Sequence, residues 1–388
     1  MKLHIVTLCR LLPTPDAPTQ GVFVQRRLEG MAKSAKQVAL QPVPYFPLLR
    51  PRPNWVGLRS EQGALSIHPL PMFYLPGILK GLDAHWMVRS LIHEITKLHK
   101  QHPIDILDAH WGYPEAVACQ SISQTLGIPY SVTLRGHEED YLQIPEYRER
   151  LLSAFRDAAV CICVSHSLAE LIIDAGIDSN KVHVVHNALD RSTFQPGPMD
   201  RARKRLGLAE DQTIVLSVGN LLPVKKHELL ISAFDQLRSK HPNSHLLIAG
   251  STSSDRKYTE QLRMLVQRSQ LEKAVTFLGS VNVADLVDYY QAADVFSLLS
   301  AREGCCNAIL EALACGLPVV ASPAGDNGYF VNSTNGAIVP HEDPTAAAEA
   351  LDHLIRRRPG VEQTSANLNL GSWPEIGEQI THIFRNAI

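Results

Sequence analysis

Residues 300–321 read Ser-Ala-Arg-Glu-Gly-Cys-Cys-Asn-Ala-Ile-Leu-Glu-Ala-Leu-Ala-Cys-Gly-Leu-Pro-Val-Val-Ala. The apolar run Val295–Leu298 precedes them as a strand, and Glu303 and Gly304 lie in the loop that follows. A helix begins near Asn307 and runs to Ala314, and Pro318–Ala321 is again a strand. Strand, helix and strand in that order make a βαβ unit with parallel strands. The first amides of such a helix have no internal acceptor and carry the positive end of its dipole, so its start suits a diphosphate. Gly304 lets the backbone approach a ligand closely. Glu311, just over one turn inside, is placed to accept hydrogen bonds from a ribose, and Glu303 on the loop is placed to meet the hydroxyls of a sugar. Two glutamates alone also fit a solvated helix residue and a loop charge.

The same alternation extends in both directions. Strands are expected at Thr213–Val218, His245–Ala249 and Val275–Leu278, with helices at 227–239, 258–269 and 282–291. The first half repeats the pattern, with strands at Lys2–Leu8, Val38–Pro42, Ile104–Ala109, Tyr130–Leu134, Val160–Val164 and Val182–Val185. A loop rich in Pro and Thr (Pro13, Thr14, Pro15, Pro18, Thr19) and Gly21 lead into a helix near 22–34, and an amphipathic helix covers 84–101. Residues 42–76 hold many prolines and little periodicity and are expected to be irregular. Asp190, Pro196, Gly197 and Pro198 mark a break near residue 195. The fold class is therefore α/β: two doubly wound, Rossmann-like parallel-sheet domains with a cleft between them, where ligands of such folds bind. The expected domains are 1–195, 196–370 and a terminal segment 371–388.

Two further strand ends carry candidate chemistry. Gly219-Asn220-Leu221-Leu222-Pro223-Val224-Lys225-Lys226 follows a strand, and Lys225 is placed to neutralise a leaving diphosphate. Arg135-Gly136-His137-Glu138-Glu139-Asp140 follows another and gathers a cation, an imidazole and three carboxylates, a set able to orient hydroxyls or stabilise an ionic transition state. His110 and Trp111 stand at a third strand end and suit a sugar site or an interface. Plain surface lysines and a solvated acidic loop are the alternatives for the first two.

Composition sets limits on function. The chain has 388 residues, 45% hydrophobic and 20% charged, with net charge −2, which fits a globular protein and gives no global field for nucleic acid. Charge is nevertheless uneven. Residues 1–100 carry 13 Lys+Arg against 5 Asp+Glu, and residues 101–190 carry 5 against 13. The basic segment suits an anionic membrane surface or acceptor, or is a solvated face. Seven cysteines without regular spacing point to reduced thiols in a cytoplasmic protein. The segment up to Arg10 lacks the features of a signal peptide, and no apolar run approaches the ~20 residues of a membrane span. Any membrane contact is expected to be peripheral, on the inner face.

The motifs together resemble the family 4 retaining glycosyltransferases of the GT-B fold, in the branch that builds exopolysaccharide, teichuronic-type or lipopolysaccharide chains. The resemblance rests on Glu303 and Glu311 with seven residues between them, followed by Ala312, Ala314, Gly316, Pro318 and Val319. It also rests on Val164-Ser165, on His186-Asn187-Ala188-Leu189-Asp190 with Phe194 and Pro196, on Phe277-Leu278-Gly279 and on Ala293-Asp294. It implies a nucleotide diphosphate-sugar donor (UDP or GDP) and a saccharide or lipid-linked acceptor, with no metal and no cofactor. Glu311 would hold the donor ribose, Glu303 the donor sugar, and Lys225 the diphosphate. The backbone of Gly304, Cys305, Cys306, Asn307 and Ala308 would cap the phosphates, with Gly219 and Asn220 beside them. Gly21 matches the glycine loop facing donor and acceptor. His137 and Glu138 fall where the family has a His-Asp pair, so His137 joins Glu303 and Lys225 as a catalytic candidate. His110, Arg135, His137 and Glu138 form the acceptor side. Residues 371–388 resemble the last helix that crosses back to the N-terminal domain.

Departures are visible: Asn220 stands where Arg is usual and Lys226 where Gly is usual. Residues 324–328 replace a Gly-Gly-x-Pro-Glu turn. The implied reaction is front-face displacement with retention. The rival readings are a non-catalytic nucleotide-sugar-binding or interaction protein on the same fold and another GT-B enzyme such as an epimerase. A dinucleotide enzyme is disfavoured, since no Gly-x-Gly-x-x-Gly follows the first strand.

Overall fold

The computed structural model describes all residues except Met1, Thr19, Leu48, Ile78, Ala366, Asn367 and Asn369, so Thr19 of the proline–threonine loop lies outside the described residues. The chain forms two units, Met1–Ala188 with Gly371–Ile388, and Leu189–Leu370. The division thus falls at Leu189 and not near 195. Phe194 accounts for the difference, because its ring packs edge-on against Tyr290 in the core of the second unit.

In the first unit the strands are β1 (His4–Leu8), β2 (Lys36–Tyr45), β3 (Ser60–Gln62), β4 (Leu65–Phe73), β5 (Ile106–His110), β6 (Tyr130–Leu134), β7 (Val160–Cys163) and β8 (Val182–Val184). They form one sheet in the order β3-β4-β2-β1-β5-β6-β7-β8, parallel except for β3 on β4. Its helices are α1 (Val22–Ala32), α2 (Asp83–Gln101), α3 (Val117–Leu126), α4 (Glu138–Leu142), α5 (Pro145–Asp157) and α6 (His166–Asp174). The second unit has α7 (Met199–Leu206), β9 (Thr213–Val218), α8 (His227–Arg238), β10 (Ser244–Ala249), α9 (Arg256–Arg268), β11 (Val275–Gly279) and α10 (Val283–Ala292). It continues with β12 (Val295–Leu298), α11 (Asn307–Ala314), β13 (Val319–Ala321), α12 (Asn327–Phe330), β14 (Gly336–Ile338), α13 (Pro344–Arg357) and α14 (Val361–Ser365), and α15 (Trp373–Ala387) belongs to the first unit. The second sheet runs β11-β10-β9-β12-β13-β14, all parallel. Strand order reverses between β1 and β5 in one unit and between β9 and β12 in the other, and ligands of open α/β sheets bind at such a switch point.

The proline-rich stretch expected to be irregular is so only in part: its start closes β2, and β3 and β4 lie in its second half. β2 and β4 pair in parallel from Gln37↔Leu65 to Tyr45↔Phe73. Its prolines are tolerated because of where the neighbouring strands end. β1 pairs with β2 only as far as Leu40, so Pro42 and Pro44 lie beyond it. β3 pairs with β4 only as far as Ile67, so Pro69 and Pro71 lie beyond that. At alternate positions their missing N–H groups face a side with no partner strand.

Both sheets are covered on two faces. Phe234, Leu262 and Leu351 pack on one face of the second sheet and Phe296, Ile309 and Leu313 on the other. In the first unit, Ile376, Ile380 and Phe384 of α15 join Ile5, Val24, Leu28 and Met31 in one core. Two glycines permit this. A Cβ at Gly30 would lie 2.1 Å from the Trp373 carbonyl oxygen, and one at Gly377 would lie 2.3 Å from the Gly30 carbonyl carbon. Gly377→Ala should force α1 and α15 apart and destabilise the protein by about 1–3 kcal/mol. A chemical-denaturation midpoint equal to that of the parent chain would contradict so close a crossing.

Candidate functional site

In the second unit the loops after β9 and β12 are bound to each other and to the start of α11. Gly250 makes the first loop possible. Its φ is +154°, and a Cβ there would lie 2.0 Å from the Gly219 carbonyl oxygen. Gly219 N–H donates to Ala249 O, Leu221 N–H to Ser251 O, and Ser251 N–H to Asn220 Oδ1 at 3.0 Å. Asn220 therefore acts as a turn cap and brings no charge. The chain then turns through Pro223–Lys225, and Ala301 N–H donates to Val224 O at 2.8 Å, tying in the loop after β12.

This places Lys225 Nζ 2.6 Å from Glu303 Oε1, with side chains 20% and 9% exposed. Burial would lower the Lys225 pKa, but the adjacent carboxylate overrides it and holds the ammonium above its ordinary value. Lys226, in the left-handed region at φ +50°, pairs instead with Glu228 and Glu342. Next to Lys225 lies His227, buried, with neither ring nitrogen hydrogen-bonded among the described residues although the Gly219 and Asn220 carbonyls are near. Burial and the lysine push its pKa down to about 4.

Helix α11 forms because Ile309, Leu310, Ala312 and Leu313 bury one face. It stops at Gly316, where φ is +80°. Gly316 N–H donates to Leu313 O and Leu317 N–H to Ala312 O, a Schellman ending. At its start Cys306 is the N-cap, and its own side chain makes no capping hydrogen bond. Cys306 is buried beside Glu303 and Lys225, and burial drives its thiol pKa up. Glu311 Oε2 accepts from the buried Tyr290 hydroxyl at 2.9 Å. From beneath, Gly325 supports the loop: at φ +55° a Cβ would lie 2.5 Å from Glu303 O and 2.8 Å from Gly304 O. Lys225, Glu303, Gly304 and the Cys305–Ala308 helix start thus come together, with Glu311 further along the helix. Tyr290, Gly250 and Gly325 were missed from sequence. Only the positive-φ glycines carried a signal there.

The first unit holds a buried polar network on the sheet face under α1. Asp108 accepts from Ser131 Oγ at 2.9 Å, His110 Nε2 at 3.0 Å and Thr7 Oγ1 at 3.1 Å. Arg135 NH2 lies 3.3 Å from His110 Nδ1 and can only donate, so Nδ1 accepts and Nε2–H faces Asp108. Burial lowers the His110 pKa to about 4, which keeps the ring neutral. The Asp108 pKa would rise with burial, but His110 beside it and the cation of Arg27 hold it below its ordinary value. Arg135 also donates to Asn187 Oδ1 at 3.2 Å and lies over the rings of Phe23 and Trp111. Arg27 is 1% exposed, and among the described residues none of its guanidinium nitrogens has a hydrogen-bond partner. Burial and nearby Arg135 push its pKa down to about 9.

Two acceptor-side expectations change character. Glu138 is 1% exposed and its carboxylate is fully engaged: Oε1 accepts from Gly112 N–H at 2.8 Å, Oε2 from Arg135 N–H at 3.0 Å and Gly136 N–H at 2.8 Å. It is a clamp between the loops after β5 and β6. His137 begins α4 with an exposed side chain that makes no hydrogen bond to the His110–Arg135 network. Gly21 is buried at φ +70°, where a Cβ would lie 2.0 Å from Leu11 O, so it shapes the loop after β1.

Two Rossmann-type units in tandem are the GT-B architecture. The family described as "Glycosyl transferases group 1" matches residues 198–368, and the one described as "Glycosyltransferase Family 4" matches residues 47–193. Between them they take in most of the chain, which belongs to the family 4 glycosyltransferases. Bacillus subtilis TuaC, called a putative teichuronic acid biosynthesis glycosyltransferase, is 27% identical over 90% of this chain and 88% of its own. The D-inositol 3-phosphate glycosyltransferase of Kineococcus radiotolerans is 33% identical over 56% of this chain and 55% of its own. The chain spans about half the length of the several curated relatives of that name. The solved structure of Anabaena HepE in complex with UDP and glucose has a TM-score of 0.77 at 19% identity, covering 99% of both chains, which speaks for the fold alone.

Proposed function

We propose that this chain is a retaining, metal-independent glycosyltransferase that moves a sugar from a UDP- or GDP-sugar to a saccharide or lipid-linked acceptor in cell-surface polysaccharide biosynthesis. The observation that carries this is the Lys225–Glu303 pair beside the start of α11. A diphosphate seated there meets backbone amides and one ammonium, which together replace the charge a metal would bring. Glu303, released from Lys225 by the diphosphate, accepts from the donor sugar's hydroxyls, and Glu311 accepts from the ribose. In the reaction the bond from anomeric carbon to diphosphate oxygen breaks and the acceptor oxygen bonds to the same face. The hydroxyl proton passes to the departing phosphate. The relative named for teichuronic acid and the structural neighbour holding UDP and glucose support this reading. Among the described residues no helix is long and apolar enough to cross a membrane. The reading places the protein in the cytoplasm, touching the inner membrane face through the basic segment of its first unit.

The test is calorimetry with UDP, GDP and ADP in the presence of a chelator, followed by product analysis with the matching sugar nucleotides. Binding of one nucleotide in chelator and a linkage with the donor's own anomeric configuration support the proposal. No binding, or turnover abolished by the chelator, overturns it. Tyr290→Phe removes a bond worth about 0.5–1.5 kcal/mol to Glu311. The Kd for the preferred nucleotide should rise roughly two- to twelve-fold, and an unchanged Kd would remove Glu311 from the ribose site.

A further inference from the structure

The first unit contains a pocket of about 410 Å³ between the loop after β1, strands β2 and β4, and the excursion that carries Trp55 and β3. Its size is within the range of small-molecule sites. Pro13, Pro15, Trp55, Leu58, Ile67 and Pro69 make much of the wall.

Apart from the Ser60 hydroxyl at the exposed edge, the polar side chains in the wall each have a protein partner. Gln41 Nε2 donates to Leu12 O at 3.1 Å, Trp55 Nε1 to Asp16 Oδ2 at 2.8 Å, and Arg59 to Glu94 Oε1 at 2.7 Å. The Gln62 carbonyl accepts from the Gln25 amide. A sugar carries a hydroxyl on nearly every carbon, and each one buried without a partner costs about 1–3 kcal/mol. A hydrocarbon chain has no such groups and gains from burial.

The surroundings indicate what the chain is attached to. Leu58 in the wall is 66% exposed and so forms an apolar rim, and Leu49, 75% exposed, belongs to the same proline-rich region. Residues 44–82 carry Arg50, Arg52, Arg59 and Lys80 against Glu61 alone. Arg52 donates to Val56 O at 2.9 Å, which holds its guanidinium at the turn leading into Leu58. An apolar pocket with a fixed cation beside its rim is complementary to an anionic amphiphile.

We propose that this pocket receives the hydrocarbon chain of a lipid-linked acceptor, whose anionic head pairs with the arginine beside the rim. This rests on the glycosyltransferase reading and narrows its acceptor to a lipid carrier in place of a free saccharide.

Farnesyl phosphate is a suitable probe, titrated calorimetrically into the full chain, with farnesol and inorganic phosphate as separate arms. Ser60 lines the pocket and is solvent-exposed, so Ser60→Trp fills the space without disturbing the core. Farnesyl phosphate is expected to bind, and S60W to weaken it at least about ten-fold with an unchanged thermal melt. R52E should weaken farnesyl phosphate but leave farnesol unaffected. Equal affinity of S60W and the parent chain, or competition by inorganic phosphate alone or by methyl hexosides, overturns the assignment. UDP, GDP and ADP titrated into the same samples separate the two claims. Binding of one nucleotide without farnesyl phosphate binding removes only the pocket, and absence of any nucleotide binding removes the donor reading.

Discussion

Lys225→Ala is expected to lower kcat by about 10²–10³-fold, the usual cost of deleting one preorganised charge donor to a leaving oxyanion. Two effects combine in that figure. The diphosphate loses the Lys225 ammonium beside the start of α11, and neither neighbour replaces it, because Asn220 is a turn cap and Lys226 is paired with Glu228 and Glu342. Glu303, 9% exposed at its side chain, is also left without its cation. A stranded buried carboxylate should destabilise the protein by about 1–3 kcal/mol. The double variant K225A/E303Q should recover stability but not turnover, since the neutral amide needs no cation while the diphosphate still does. Steady-state kinetics with the sugar nucleotide identified by calorimetry, together with denaturation midpoints, separate the two effects. Turnover within a few-fold of the parent chain in K225A would remove Lys225 from the reaction.

Glu138→Ala should have the largest effect on stability. Gly112, Arg135 and Gly136 are buried, and their three amides all donate to this one carboxylate. Each unsatisfied buried amide costs about 1–3 kcal/mol, so a loss of at least about 3 kcal/mol is expected in urea titration. Glu138→Gln should fall between, because its amide retains one acceptor oxygen and turns an NH₂ towards donors. A midpoint for E138A within about 1 kcal/mol of the parent chain would show that water takes over the three amides. An acceptor-contact role for Glu138 predicts the opposite pattern, lost turnover with stability unchanged.

The acidic stretch 135–140 shows why part of the site was illegible. The sequence places a cation, an imidazole and three carboxylates after a strand, and all look equally available. Which of them faces a substrate depends on the loop after β5, more than twenty residues upstream, whose amide at Gly112 claims Glu138. The same holds for Asp108. Its pairing with His110 is local, but Thr7 and Ser131 reach it from neighbouring strands and Arg135 meets His110 from the loop after β6. Tyr290 and Glu311 likewise lie on α10 and α11, and no spacing rule links them. The prolines of β2 and β4 misled for a related reason. Proline is excluded from a strand only where a partner needs its N–H, and where the neighbouring strand ends is a property of the whole sheet.

What the sequence determined by itself is local. The period of apolar residues set the alternating strands and helices. Gly316 set the end of α11, and the spacing of Glu303 and Glu311 put one carboxylate before that helix and one inside it, since a helix turns the same way wherever it lies. Only the tertiary structure decided that Lys225, carried on a loop seventy-eight residues earlier, meets Glu303 and that Lys226 does not. It also decided that Glu138 binds backbone amides. Parallel strands bring the ends of distant segments to one edge, and which side chain finds a charge or an orphan amide there is set by packing between those segments.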